Sequence, residues 1–229
     1  MAFIHSPKII TDGLVLALDA ANVKSYAGSG TSWNDLSGNN NTGTLTNGPT
    51  FNAANGGSIV FDGVNDYVLL TSSDLRFGGV NSYTLDFFIK CPHSELNQTI
   101  FANGTLVTPG NGIWFFKRRS GLGNALVFHG FSANPRIDLI STNIIPDNNF
   151  CSVSVTFDGV NAYNLFINGQ LENSITTNSI VAATGDSFIG TNSANFFGGN
   201  IYSSKIYTRA LSPQEILQNF NATRSRFGV

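Results

Sequence analysis

Apolar and polar positions alternate with a period of two through most of this chain. In Tyr83–Lys90, the residues Tyr83, Leu85, Phe87 and Ile89 share one face, with Thr84, Asp86 and Lys90 on the other; Phe88 breaks the pattern. Residues 151–157 alternate cleanly, with Val153, Val155 and Phe157 inward. Both segments read as half-buried strands. Further strand signals lie at 14–18, 58–61, 67–70, 99–102, 113–117, 125–129, 137–140, 163–167, 187–190 and 201–207. Short strands separated by Asn, Gly, Ser and Pro predict an all-β fold, an antiparallel sandwich or barrel.

The turns carry their own signals. Asn168-Gly169 between two strand patterns is a two-residue type I′ turn, because both central positions need φ > 0. With Asp158-Gly159-Val160-Asn161 it makes three consecutive strands a meander. Phe-Asp-Gly-Val-Asn occurs twice, at 61–65 and 157–161, but the flanks agree poorly, so it reads as one turn chemistry used twice. Ser212-Pro213-Gln214-Glu215 is a capping box with Pro at the first helical position. Ile216, Leu217 and Phe220 continue it as an apolar stripe. One helix over about 212–223 should pack across the sandwich. No linker divides the chain: an arm (1–11), one domain (12–223) and a tail (224–229) are expected.

Composition narrows the function. Of 229 residues only 11% are charged, against about 25% in an ordinary soluble domain. The 28 Asn outnumber the 26 residues of Lys, Arg, Asp and Glu together. Nineteen Phe argue against disorder. A net charge of −2 leaves no basic surplus for nucleic acid. No apolar run approaches the roughly 18 residues that span a bilayer. Cys91 and Cys151 are no disulfide framework and read as two free, mostly buried thiols. The opening residues lack the apolar run of a signal peptide, so none is expected.

These motifs resemble a family. Residues 57–68, containing Phe61-Asp62-Gly63, are similar to the early strand pair of laminin-G-like, concanavalin-A-like jelly rolls. Residues 153–170 resemble their central meander. Tyr207-Thr208-Arg209-Ala210-Leu211-Ser212 resembles their closing strand and helix start. The resemblance implies an all-β, antiparallel two-sheet jelly-roll sandwich with one short C-terminal helix. Residues 12–22 and Trp33-Asn34-Asp35-Leu36-Ser37-Gly38 resemble the version found in structural proteins of tailed bacteriophages. Bacterial surface proteins use similar openings.

The superfold also hosts glucanases, whose retaining chemistry needs two carboxyls about 5–5.5 Å apart. The glucanase pattern Glu-x-Asp-x-Glu is missing here, and the chain has only Glu95, Glu172 and Glu215. His5, His93 and His129 lack zinc-ligand spacing. Calcium is the cofactor the resemblance implies. Asp62, Asn65 and Asp66 would supply oxygens, with Asp158 and Asp186 from neighbouring loops. The competing reading is that Asp62 and Asp158 bond their own turn backbones. For a sugar site, Trp114 beside Arg118 and Arg119 is the densest aromatic-and-basic cluster, with Phe196, Phe197 and Trp33 as further candidates. The competing reading there is that Trp114 and Phe116 share one face and fill the core.

The expectation is a non-enzymatic virion structural protein: an exterior appendage, fibre or decoration subunit that binds host-surface glycans. It would contact other virion proteins or copies of itself, with no nucleic-acid or membrane partner, and assemble in the host cytoplasm. The alternatives are a carbohydrate-binding adhesion module of a bacterial surface protein and a glycoside hydrolase.

Overall fold

The alternation becomes two antiparallel sheets packed face to face. The computed structural model describes residues 7–104, 111–131, 137–177 and 180–229. Strands are numbered in chain order. Sheet A runs β14 (Gln170–Thr176), β13 (Ala162–Ile167), β12 (Phe150–Phe157), β7 (Tyr83–Lys90), β16 (Gly198–Tyr207), β5 (Ser58–Asp62) and β4 (Thr50–Asn52). In it, β1 (Leu14–Asp19) pairs with β16 beyond the end of β5. Sheet B runs β11 (Ile137–Ile144), β10 (Ala125–Gly130), β9 (Ile113–Lys117), β8 (Gln98–Asn103), β15 (Ser187–Ile189), β6 (Tyr67–Leu70), β3 (Gly43–Thr46) and β2 (Ser32–Trp33). The inner faces meet in one large core in which Phe87 packs against Phe101 and Phe115, at centroid distances of 6.1 and 6.4 Å.

Turn chemistry follows the sequence closely. Asn168 and Gly169 have φ of 51° and 77°, the two positive values a type I′ turn demands. The two Phe-Asp-Gly-Val-Asn turns use the same device. Asp62 Oδ1 accepts from the amides of Val64 and Asn65 at 2.8 and 3.2 Å, and Asp158 Oδ1 from those of Val160 and Asn161 at 2.8 and 2.9 Å. Among described non-glycine residues with positive φ, six are Asn (Asn40, Asn47, Asn55, Asn124, Asn148 and Asn168), and the other is Ser193. Part of the Asn surplus is therefore backbone chemistry, since Asn tolerates the left-handed region.

Three strands escape the sequence pattern. β2, β3 and β4 are two to four residues long and rich in Thr, Ser and Gly, too short for alternation to register. β16 also begins at Gly198, and β11 continues to Ile144.

The larger correction concerns sheet A. β7 and β12 are not half-buried; both of their faces lie inside the molecule. The cover is α1 (Pro213–Arg224) with the residues that follow it. Its start is fixed by the expected capping box, in which Ser212 Oγ accepts from Glu215 N and Glu215 accepts from Ser212 N. Ile216 packs with Phe166, Tyr207 and Leu211, and Phe220 with Phe88, Tyr202 and Phe227. Phe88, the exception in the β7 alternation, stacks on Phe227 at 4.1 Å with rings 15° apart.

Between these two apolar clusters the interface is polar. Asp86, nearly fully buried, accepts from Lys205 Nζ and Asn219 Nδ2, both at 3.2 Å, and from Ser154 Oγ at 3.0 Å. Asn219 Nδ2 also reaches Tyr207 Oη at 2.9 Å, and its Oδ1 accepts from Ile10 N at 2.9 Å. Removing one partner of such a buried ion pair costs about 3–5 kcal/mol, because the other charge is stranded. Ser152, Ser154 and Thr156, which alternation alone assigns to solvent, lie beneath this cover.

Both chain ends join it. Gln218 Nε2 donates to Lys8 O at 2.8 Å, and Arg226 Nη1 donates to Asp19 Oδ1 at 2.8 Å. Residues 1–6 of the expected arm lie outside the described residues.

Arg209 grips Glu215 with both terminal nitrogens, at 2.9 and 2.7 Å, and holds its carboxyl at about 2, below the ordinary 4.5. A depressed carboxyl stabilises the fold fully above its unfolded value and loses that contribution as pH falls toward the folded one. Thermal denaturation across pH checks this. The stability difference between the native chain and Glu215→Gln should be constant above about pH 5 and vanish progressively toward about pH 2.

Candidate functional site

With sheet A sealed by α1, the outer face of sheet B is the other broad surface; it is exposed toward its edges, at Asp138, Thr44 and Ser32, while β8 and β10 nearer its centre are buried throughout. Among the described residues no helix lies across it. Strand pairing lines up one residue from every strand in a single row: Asp138, His129, Trp114, Ala102, Phe188, Leu69, Thr44 and Ser32. All eight alternate with inward residues such as Leu139, Phe128, Phe115, Ile189 and Val68. Trp114 and Phe188 are half-buried and stand two strands apart, about 10 Å between backbones at a strand spacing of about 4.8 Å. Ala102 is the small residue between them. Ala102 is 1% exposed and so lies beneath its neighbours; the row, called the trough below, is an aromatic strip in which Trp114 and Phe188 are the partly exposed rings.

Both walls are held in place. Trp114 stacks on Phe116 at 3.9 Å with rings 17° apart, and its Nε1 donates to Thr99 Oγ1 at 3.0 Å. His129 meets Trp114 and Phe116 edge-on at 5.4 and 4.9 Å, and its Nε2 lies 3.3 Å from Asp138 Oδ1. Phe188 is supported by Tyr67, edge-on at 5.9 Å. Aromatic walls suit the C–H faces of sugar rings, and the polar groups at both ends of the row suit hydroxyls.

The expected site residues distribute unevenly. Trp114 and Phe116 do share a face, but it is the outer face, not the central core they were expected to fill. Arg118 and Arg119 follow β9 and lie four and five residues beyond Trp114, so they do not flank the trough. Arg119 N donates to Asn97 Oδ1 at 3.1 Å. Trp33 and Phe197 are fully buried and belong to the core, which removes them as platforms. Phe197 packs edge-on against Phe61 at 5.9 Å. Phe196 is half-buried and bridges to Thr191, outside the row. Sequence reading missed Phe188, Leu69 and Tyr67. The available signal was that 67–70 and 187–189 carry apolar residues at both parities, so one set had to face outward.

The five proposed calcium ligands do not converge. Asp62 lies at the Lys90 end of sheet A, and Asp158 at the Tyr83 end. Across the eight residues of β7 that separation is roughly 23 Å. Asp186 pairs with Arg76 at 3.4 Å, at the end of β15 away from Asp66. Asp62, Asn65 and Asp66 remain together, but Asp66 Oδ2 accepts from Asp62 N at 3.0 Å and Asp62 Oδ1 is taken by its own turn. Those backbone bonds hold the Asp62 carboxyl below its usual range, whereas burial lifts that of Asp66. This donor set does not fit a calcium ion, which needs 6–8 converging oxygens.

Catalytic carboxyls fare no better. Among the described strand residues facing outward from sheet B, Asp138 is the single carboxylate, short of the pair that glycoside hydrolysis uses. Glu172 binds Asn143 N at 2.9 Å, joining β14 to β11; Glu215 caps α1; and Glu95 lies 2.8 Å from the exposed His93. Cys91 and Cys151 are buried and free. Burial raises their thiols to about 11 and about 12, so neither offers a nucleophile near neutral pH.

Known structures share this fold. The binding domain of Paraclostridial Mosquitocidal Protein 1 superposes with a TM-score of 0.71 at 17% identity, over 93% of this chain and 52% of that one. Domain 4 of AbnA, a GH43 extracellular arabinanase from Geobacillus stearothermophilus whose structure contains arabinotriose, gives 0.71 at 20% identity, over 90% and 97%. The Botulinum neurotoxin serotype D ligand binding domain, in complex with N-acetylneuraminic acid, gives 0.71 at 16%, over 92% and 51%. This chain therefore spans about half of the two toxin domains and nearly all of the arabinanase one. At these identities the likeness establishes the fold. No curated protein matches the chain. A laminin-G family model described as the concanavalin A-like lectin/glucanases superfamily matches residues 62–217, from the first Asp-Gly-Val-Asn turn to the middle of α1. The two-sheet sandwich and that match give the same answer: the chain belongs to the concanavalin A-like lectin/glucanases superfamily.

Proposed function

We propose that this chain is a non-catalytic glycan-binding module, and that it works on the outside of a bacteriophage particle as an appendage, fibre or decoration subunit. The carrying observation is the trough on sheet B: aromatic walls at Trp114 and Phe188, polar ends, and one carboxylate where hydrolysis needs two. Binding domains among the structural relatives support the non-catalytic reading. The particle location rests on the resemblance of residues 12–22 and 33–38 to openings of tailed-phage structural proteins. Low charge suits either contact, with sugar or with a neighbouring subunit, because little has to be desolvated.

Titration against a panel of neutral oligosaccharides, followed by isothermal titration calorimetry, tests the binding. Trp114→Ala should weaken binding by about 30-fold. Absence of binding to the whole panel, or unchanged affinity in Trp114→Ala, contradicts the site. Mass spectrometry of purified particles tests the location. The chain should appear among the virion proteins, and its absence from particles contradicts that placement.

A further inference from the structure

The cover over sheet A is not seamless. A recess of about 350 Å³ opens between the outer face of β1 and β16, the last turn of α1 and the chain leading into β1. That volume is at the small end of ligand sites. Leu14, Ala17, Leu36 and Ala222 give it apolar walls. Its polar groups include Ser203, Lys205, Asp19 and Arg226, with Thr11, Asn22 and Thr223 around them.

Their hydrogen-bonding capacity is only partly used. Ser203 is 3% exposed, and its Oγ has no hydrogen-bond partner among the described residues. A buried hydroxyl left unpaired costs free energy, and native interiors seldom keep one. Lys205 Nζ uses one of its three protons, on Asp86. Asp19 Oδ1 takes Arg226 Nη1 and Ala21 N, each at 2.8–2.9 Å, and its Oδ2 accepts nothing among the described residues. Arg226 places one proton each on Asn55 O, Gly57 O and Asp19, which leaves one further proton on each terminal nitrogen. The recess thus offers an ammonium with two spare protons, a hydroxyl, a carboxylate oxygen and an apolar wall. The formal charges cancel, Lys205 against Asp86 and Arg226 against Asp19. An anion or cation would meet no net opposite charge.

We infer that this recess is a second ligand site, for one neutral, hydroxyl-rich ring: a single hexose, pentose or cyclic polyol. Hydroxyls of such a ligand both donate and accept, as Asp19 Oδ2, Ser203 Oγ and Lys205 require. Its C–H face meets Leu14 and Ala17. The site lies on the opposite side of the sandwich from Trp114, so it holds its ligand independently of the sheet B trough.

Backbone amide NMR of the full chain, titrated with glucose, galactose, xylose and inositol, tests it. One of these probes at about 10 mM should give saturable shifts at Ala17, Ser203 and Thr223, with a Kd of about 1 mM. Ser203→Ala should not lower the thermal midpoint, since its hydroxyl has no partner to lose and its burial unpaired is a cost, and should weaken binding about fivefold. Ala222→Leu fills the recess and should abolish these shifts, whereas Trp114→Ala should leave them intact. The inference is overturned if no probe shifts these amides. It is also overturned if the shifts survive Ala222→Leu, or if they disappear with Trp114→Ala.

Discussion

A carboxylate cannot be buried alone, and Asp86 organises one whole side of this molecule around that fact. It lies mid-strand on the outer face of β7, where a sandwich ordinarily meets water. Lys205 on the neighbouring strand answers its charge, Ser154 on the other neighbour donates to it, and Asn219 reaches down from α1 to complete its shell. The position of the helix is therefore set by hydrogen-bond geometry as well as by apolar burial. Aromatic clusters on either side, Phe88 with Phe220 and Phe227, and Phe166 with Ile216, exclude water from the pair and strengthen it. Asn219 also holds Ile10, so helix, sheet and N-terminal arm meet at one side chain.

This seal gives the two faces of the sandwich different roles. Sheet A spends its outer face on stability. Sheet B keeps a broad face that carries aromatic rings in an order fixed by strand register: Trp114, then Ala102, then Phe188. Ala102 between them is buried, and the two flanking rings, two strand spacings apart, are partly exposed. The rigid sheet and the buttressing by Phe116, His129 and Tyr67 hold those walls in place without a ligand, which lowers the ordering cost of binding.

Sequence legibility tracks the distance over which the determining contacts act. Turns and caps are local, and they were legible in detail: the Asn168-Gly169 turn, the two Asp-Gly-Val-Asn turns and the Ser212–Glu215 capping box all form as their residues dictate. Strand parity was also legible, and with it the inward set Leu85, Phe87, Val153 and Val155. What alternation could not say was whether the other parity meets water. Ser152 and Ser154 are polar yet buried, because the helix covering them arrives from some sixty residues further along the chain. Phe88 was the one local clue. The trough was illegible for a related reason: Trp114 and Phe188 become neighbours only through the pairing of β9, β8 and β15. Trp33 and Phe197 failed as platforms because an aromatic next to a Gly- or Asn-rich loop looks exposed by sequence, and here each folds into the core.

The central claim is that an oligosaccharide is held on the outer face of sheet B. A crystal structure of the chain with a bound oligosaccharide tests it most directly. The account predicts sugar rings crossing the strands between Trp114 and Phe188, with hydroxyls directed toward the His129–Asp138 end. An oligosaccharide lying on the strand-end loops or along α1, with the trough between Trp114 and Phe188 empty, would contradict it.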